Sequence, residues 1–196
     1  MSKLIFKYGV FSLDFWYNEN LPNNWKMTNL SSLVDIKNGF TPKRTEEKFW
    51  KNGTIPWFTV EDIHKQGRII KETNQHITNE ALGKSTSRIL PKNTVLLCCT
   101  ASVGEYAFSK IELTTNQQWN GLVIKEECKH ILNDQFLYKW VMTLKQLLLT
   151  KSNSTTFAFL SVDKLNNFEI PIPPIEEQQR IVEQLDKLLP LCDELK

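Results

Sequence analysis

Hydrophobic and polar positions change their period along the chain, and the changes divide it into three stretches. Up to about Asn20, aromatic residues crowd together (Phe6, Tyr8, Phe11, Phe15, Trp16, Tyr17) without a clean period, so residues 1–20 read as a packing arm. From Leu21-Pro22 the alternation becomes regular. Trp25, Met27 and Leu30 predict a short strand, which Leu33, Val34 and Ile36 continue towards a turn at Gly39 to Pro42. Asn52-Gly53 marks a turn before a strand over Ile55 to Val60, and the polar run Glu61 to Arg68 reads as a loop. Thr78 caps a short helix through Asn79 to Leu82, which Gly83 ends. Val95 to Thr100 is an apolar run of strand length, predicted to be buried on both faces. Tyr106 to Phe108 and Trp119 to Ile124 add strands, with a polar loop at Thr114 to Gln118.

A helical period then takes over. Asn133 or Asp134 opens a helix in which Phe136, Leu137, Trp140, Val141, Leu144, Leu147 and Leu148 share one face. After a polar loop at Ser152 to Thr156, the chain reaches Phe168 to Pro174. There, Pro171, Pro173 and Pro174 fix φ and lack donors, so the segment is extended and lies at a sheet edge or outside one. A second helix starts only beyond them, with Glu176 and Glu177 at its positive end. Ile181, Leu185, Leu188, Cys192 and Leu195 step by four, three, four and three, the spacing of a coiled-coil seam. The seam is still running at the last residue, which points to a partner helix from another chain or to a longer helix that continues. It could instead pack on its own domain. Pro190 inside the seam removes an N–H and opposes the carbonyl of Asp186, at about 3 kcal/mol for a straight helix, which predicts a kink or a break after Leu189. The fold class is α+β: a β-rich domain over residues 21–170 with packed helices, and a projecting coiled-coil-type helix over 171–196.

Composition narrows the classes. The chain has 196 residues, 41% hydrophobic and 23% charged, with no apolar run long enough to cross a bilayer and no signal-peptide pattern, so a cytoplasmic location is expected. Cys98, Cys99, Cys128 and Cys192 read as reduced thiols, and they form no metal site with the scattered His64, His76 and His130. Net charge is only +2, but its distribution is uneven. Lys37 to Arg88 holds ten basic against six acidic residues, a local +4, whereas Pro171 to Lys196 is a local −3.

Several blocks in order carry a family resemblance: L-P-x-x-W at Leu21 to Trp25, G-F-T-P at Gly39 to Pro42, F-W-x-x-G-x-I-P-W at Phe49 to Trp57, T-A-S-V-G at Thr100 to Gly104, T-N-Q at Thr115 to Gln117 and I-P-P-I-E-E-Q-Q-R-I-V at Ile172 to Val182. Together they resemble the DNA-specificity subunits of type I restriction-modification systems, in a half-length form with one target-recognition domain. The resemblance implies a non-catalytic reader of one half of a bipartite site in double-stranded DNA. It also implies docking to methyltransferase subunits and, through them, to the restriction subunit, with S-adenosylmethionine, ATP and magnesium held by those partners and none by this chain. A homodimer through the C-terminal helix would restore two recognition domains. A stand-alone DNA-binding or regulatory half-subunit is the alternative.

On that reading, DNA contacts fall in the polar loops. Lys43, Arg44 and Lys51 make one basic group, and His64, Lys65, Gln66 and Arg68 a second. Asn116, Gln117 and Gln118 supply amides able to pair with adenine N6 and N7. Lys43, Arg44, Lys65 and Arg68 are expected on phosphates and Gln118 on a base, while Asn116 and Gln117, as part of a family block, stabilise the fold. Each loop could equally be an ordinary solvated one. Helix pairing falls to Ile181, Leu185, Leu188, Cys192 and Leu195. Glu127-Cys128-Lys129 matches the acid-x-Lys end of metal-dependent nuclease sites, with Glu105 or Glu112 as the further acid. A methyltransferase is disfavoured, since neither a Gly-rich cofactor loop nor an Asn/Asp-Pro-Pro-aromatic motif is present.

Overall fold

The computed structural model describes residues 21–83, 85–100, 103–150 and 161–193. The expected arm over residues 1–20 lies outside them, as do Leu195 and the side chains of Leu147 and Leu148. Strand β1 (Lys26–Asn29) is followed by a single helical turn, α1 (Leu30–Leu33), and then by β2 (Val34–Asn38). The expected strand through Leu30 is therefore interrupted. Leu30 and Leu33 are 0% and 2% exposed. Residues three apart face opposite ways on a strand but the same way on a helix, so one helical turn is what lets both enter one core.

The order continues with β3 (Ile55–Phe58), α2 (Val60–Gln66), β4 (Ile69–Ile70), β5 (Gln75–Ile77), α3 (Asn79–Leu82), β6 (Val95–Cys98), β7 (Tyr106–Ser109), β8 (Thr114–Thr115) and β9 (Trp119–Ile124). Helix α4 (Asp134–Thr150), α5 (Val162–Asn166), β10 (Glu169–Ile172) and α6 (Ile175–Asp193) complete it. A five-stranded sheet runs β2-β9-β6-β7-β4, a three-stranded sheet β5-β3-β8, and β1 pairs antiparallel with β10. The fold is mixed α and β, as the periodicities predict.

Strand β6 sits between β9 and β7 and is buried at every position. Its side chains alternate between two cores. Val95 and Leu97 point into a cluster with Phe136, Leu137, Trp140 and Val141 of α4, while Leu96 and Cys98 join Phe58, Ile63, Leu113 and Trp119 on the other face. Helix α4 thus covers one face of the central sheet, and α2 and the three-stranded sheet cover the other. Phe58 meets Trp119 edge-on at 4.9 Å across the second core. None of the four cysteines forms a disulfide, and burial pushes the Cys99 thiol up to about 11. Among the described residues no helix is long and apolar enough to cross a membrane.

Two caps match the sequence reading. The Asn133 side chain accepts from the N–H groups of Gln135 and Phe136 (2.9 and 3.1 Å) and opens α4, and Thr78 accepts from Ala81 N before α3 ends at Gly83, whose φ is +58°. The run Glu61 to Arg68 is a correction, because most of it is α2 rather than a loop. The buried Asp62 carboxylate accepts from Thr59 N (2.8 Å) at the start of the helix and from Asn74 N (2.7 Å) in the following loop. Thr59-x-x-Asp62 is thus a capping-box spacing, and its helix shows little apolar period because only Val60 and Ile63 of it reach the apolar core.

The proline segment behaves as its chemistry requires. Pro171 faces Met27 in the two-stranded β1-β10 ribbon, and α6 begins directly after Pro174, whose carbonyl accepts from Glu177 N and Gln178 N. The first half of α6 packs on the domain: Val182 is buried, Ile181 lies against the main core, and Lys139 of α4 pairs with Asp186. The Gln178 side chain is fully buried. Its Oε1 accepts from Asn133 N, and its Nε2 donates to the carbonyls of Ile131 and Pro173, each at 2.8 Å. The helix does not break after Leu189 but runs through Pro190 to Asp193. Pro190 is exposed, and so is Asp186, whose carbonyl the missing N–H would have bonded, so solvent can replace the one hydrogen bond the helix loses there.

Candidate nucleic-acid interface

The loop between β2 and β3 builds the site. Gly39 and Phe40 are fixed to the β8-β9 loop, with Gly39 N donating to Trp119 O (3.0 Å) and Phe40 N to Thr115 O (2.8 Å). The Thr41 hydroxyl bonds the Gln117 side chain, so the G-F-T-P and T-N-Q blocks, far apart in sequence, form one surface. Trp57 Nε1 donates to Phe40 O (2.9 Å) and Trp50 Nε1 to Lys43 O (3.2 Å), which pins the loop over two tryptophans meeting edge-on at 5.1 Å.

Arg44 lies on this aromatic seat, its guanidinium carbon 4.0 Å from the Trp50 ring centroid and 4.5 Å from that of Trp57. Its Nη1 donates to Gln75 Oε1 at 2.6 Å. A shallow cavity of about 480 Å³ opens here, lined by Arg44, Thr45, Glu47, Trp50, Gln75 and His76. Lys43 and Lys51 stand beside it, paired with Glu46 (3.0 Å) and Glu47 (2.8 Å), and Lys48 pairs with Glu80 (2.7 Å). The acids in these pairs are already counted in the segment's local +4, so its excess of basic residues remains. These pairs are exposed and weak, so they can open to an incoming anion.

The second basic group is split. Lys65 at the end of α2 donates to Asn74, next to Gln75, and so borders the Arg44 site, with His64 exposed on the same helix. Gln66 closes its own loop, donating to Glu72 O and accepting from Lys71 N (both 2.9 Å). Arg68 sits on the α4 side of the central sheet, with Nη2 2.8 Å from Glu105 Oε2 and its guanidinium 4.8 Å over Tyr106. There Tyr106 packs on Tyr138, whose phenol burial pushes up to about 12. Asn116 turns inward to its own loop, its Oδ1 accepting from Gln118 N (2.9 Å), while Gln117 is exposed and Gln118 half-buried. Along the helix, Ile181 and Leu185 are half-buried, Leu188 and the neighbouring Leu191 are 53% and 55% exposed, and Cys192 is half-buried.

Two residues outside the expected set belong here. Arg88 lies 4.2 Å over the Phe40 ring and is exposed, and Gln75 tethers Arg44. No local signal marks either one, since each gains its role from a partner distant in sequence. The acid-x-Lys run folds differently from a nuclease strand end: Glu126–Cys128 is a 3-10 turn, Lys129 pairs with Glu126, Cys128 is buried, and Glu105 is held by Arg68.

Comparison with known proteins places this architecture. The chain is 31% identical over 172 residues to the type I restriction enzyme EcoprrI specificity subunit of Escherichia coli, covering 84% of this chain and 42% of that protein. It is also 31% identical over 163 residues to the MjaIX specificity subunit of Methanocaldococcus jannaschii, covering 82% and 37%. The chain thus spans well under half the length of these relatives. The crystal structure of the HsdS subunit from Thermoanaerobacter tengcongensis shares the fold, with a TM-score of 0.70 at 23% identity over 91% of this chain and 41% of that one. The family model for the type I restriction modification DNA specificity domain matches residues 22–196, from the start of the described fold through the helix that docks on it, and the chain belongs to that family.

Proposed function

We propose that this chain is a non-catalytic DNA-sequence reader of a type I restriction-modification system. It reads one half of a bipartite site and docks methyltransferase subunits and, through them, the restriction subunit. The observation that carries this reading is the joining of the G-F-T-P and T-N-Q blocks into one surface beside Arg44, Lys43, Lys51 and Lys65, within a chain of the specificity-domain family. Lysines in weak surface pairs suit phosphates, and the amides of Gln117 and Gln118 suit base edges.

The isolated chain is expected to bind duplex DNA weakly and with a steep fall as salt rises, because the binding is dominated by a few phosphate contacts. Fluorescence anisotropy across a salt series checks this, and salt-insensitive, nanomolar binding by the chain alone would contradict it. Within the assembled enzyme, Lys43→Ala weakens binding evenly across sequences. Gln118→Ala instead relaxes one position, by about 1–3 kcal/mol of discrimination.

The exposed end of α6 supports the dimer part of the reading. Leu188 and Leu191 are large apolar side chains left on the surface within about one and a half turns of the Lys139–Asp186 pair. Pairing with a second copy would cover them and hold two recognition domains apart. Leu185→Asp with Leu188→Asp is expected to give monomers in sedimentation while the far-ultraviolet spectrum of the domain persists. A strictly monomeric parent chain at high concentration removes the dimer and leaves a partner subunit as the cover.

A further inference from the structure

We propose that Arg44 is a specificity-determining residue that reads a guanine in the half-site, rather than a phosphate clamp. This rests on the DNA-reading function proposed above. Phosphate contacts tolerate mobile side chains, whereas reading a base edge requires donors held in a set direction before the DNA arrives. Arg44 is held from three sides and is nevertheless exposed. Trp50 and Trp57 lie against its guanidinium at 4.0 and 4.5 Å, and Gln75 accepts one of its hydrogen bonds at 2.6 Å.

The rings are themselves fixed, since their indole N–H groups donate to Lys43 O and Phe40 O of the loop that carries Arg44. Gln75 takes one of the five N–H donors of the guanidinium, leaving a planar fork of the shape that O6 and N7 of guanine accept in the major groove. The neighbouring acids do not compete for it. Glu46 and Glu47 pair with Lys43 and Lys51, and the partners of Arg44 among the described residues are neutral, unlike Arg68, which is tied to Glu105. A side chain needed merely to cover the tryptophans would not require a fork.

The test uses the chain assembled with its methyltransferase subunits in cells, reading the modified motif by sequencing methylated bases for the parent, Arg44→Lys and Arg44→Ala. Arg44→Lys retains the charge and loses the fork, and because the residue is exposed it leaves the core intact. The expected result is that both variants accept other bases at one G·C position of the parent motif, with discrimination there falling about tenfold or more while the remaining positions stay fixed. An unchanged motif with evenly reduced modification would make Arg44 a phosphate contact and overturn the proposal. A parent chain that directs no motif at all would overturn the DNA-reading function, and this proposal with it, a failure visible before any variant is compared.

Discussion

Replacing Gly39 with alanine is expected to destabilise the domain by about 3 kcal/mol and to eliminate DNA binding at the candidate interface. A Cβ at this position would lie 2.1 Å from the carbonyl oxygen of Asn116, 2.1 Å from the Thr115 hydroxyl and 2.5 Å from the Thr115 carbonyl. Two of those three atoms are backbone, which no rotamer change can move aside. The methyl therefore has to part the G-F-T-P turn from the T-N-Q loop. Parting them strains or breaks the bonds from Gly39 N to Trp119 O and from Phe40 N to Thr115 O, each worth about 1 kcal/mol net, on top of an overpacking cost of about 1–3 kcal/mol. The functional loss follows because Phe40 O anchors the Trp57 indole under Arg44 and Thr41 anchors Gln117. Urea unfolding of the variant measures the first effect and DNA anisotropy the second. A shift below 1 kcal/mol would show that the two loops separate freely and that the surface is not rigidly built.

Gln178→Ala is expected to cost about 2–4 kcal/mol and to release α6 from the domain. The side chain is 0% exposed, and it satisfies the N–H of Asn133 and the carbonyls of Ile131 and Pro173. Removing it leaves three backbone groups, that of Pro173 buried and those of Asn133 and Ile131 partly so, without their partner at the junction where α4 starts and the proline segment passes into α6. An unmade hydrogen bond in such a place costs more than a made one contributes. Gln178→Glu should be worse still, since it loses both donated bonds and brings a carboxylate against two carbonyl oxygens. Hydrogen exchange across α6 separates the two consequences: faster exchange in residues 176–186 together with a lower unfolding midpoint is expected. Stability within 0.5 kcal/mol of the parent would mean that Val182, Ile181 and the Lys139–Asp186 pair alone seat the helix. Because the direction of α6 sets where a partner on it would sit relative to the loops proposed to face DNA, this glutamine would link the proposed recognition to assembly.

Local chemistry by itself determined the parts of this protein whose cause is local. The apolar run Val95 to Thr100 reads as a strand buried on both faces and holds one over Val95–Cys98, the three prolines from Pro171 forced an extended edge before α6, and Asn133 and Thr78 opened their helices with their own side chains. The ordered family blocks also pointed to the specificity-domain family, because their residue types and spacing survive without coordinates. Where the signal was local but faint, as in the Thr59-x-x-Asp62 start of α2, it lost to the polarity of the run that followed. What only the tertiary structure decided was the company each exposed side chain keeps. Arg44 is tethered by a residue 31 positions away, Arg68 is neutralised by one 37 positions away, and Gln178 serves a backbone 45 positions away. A basic residue in a polar loop reads the same in one dimension whether it faces DNA, an aromatic seat or a carboxylate. Chain folding alone sets those distances, and the energy of a charge depends on them and on the solvent around it.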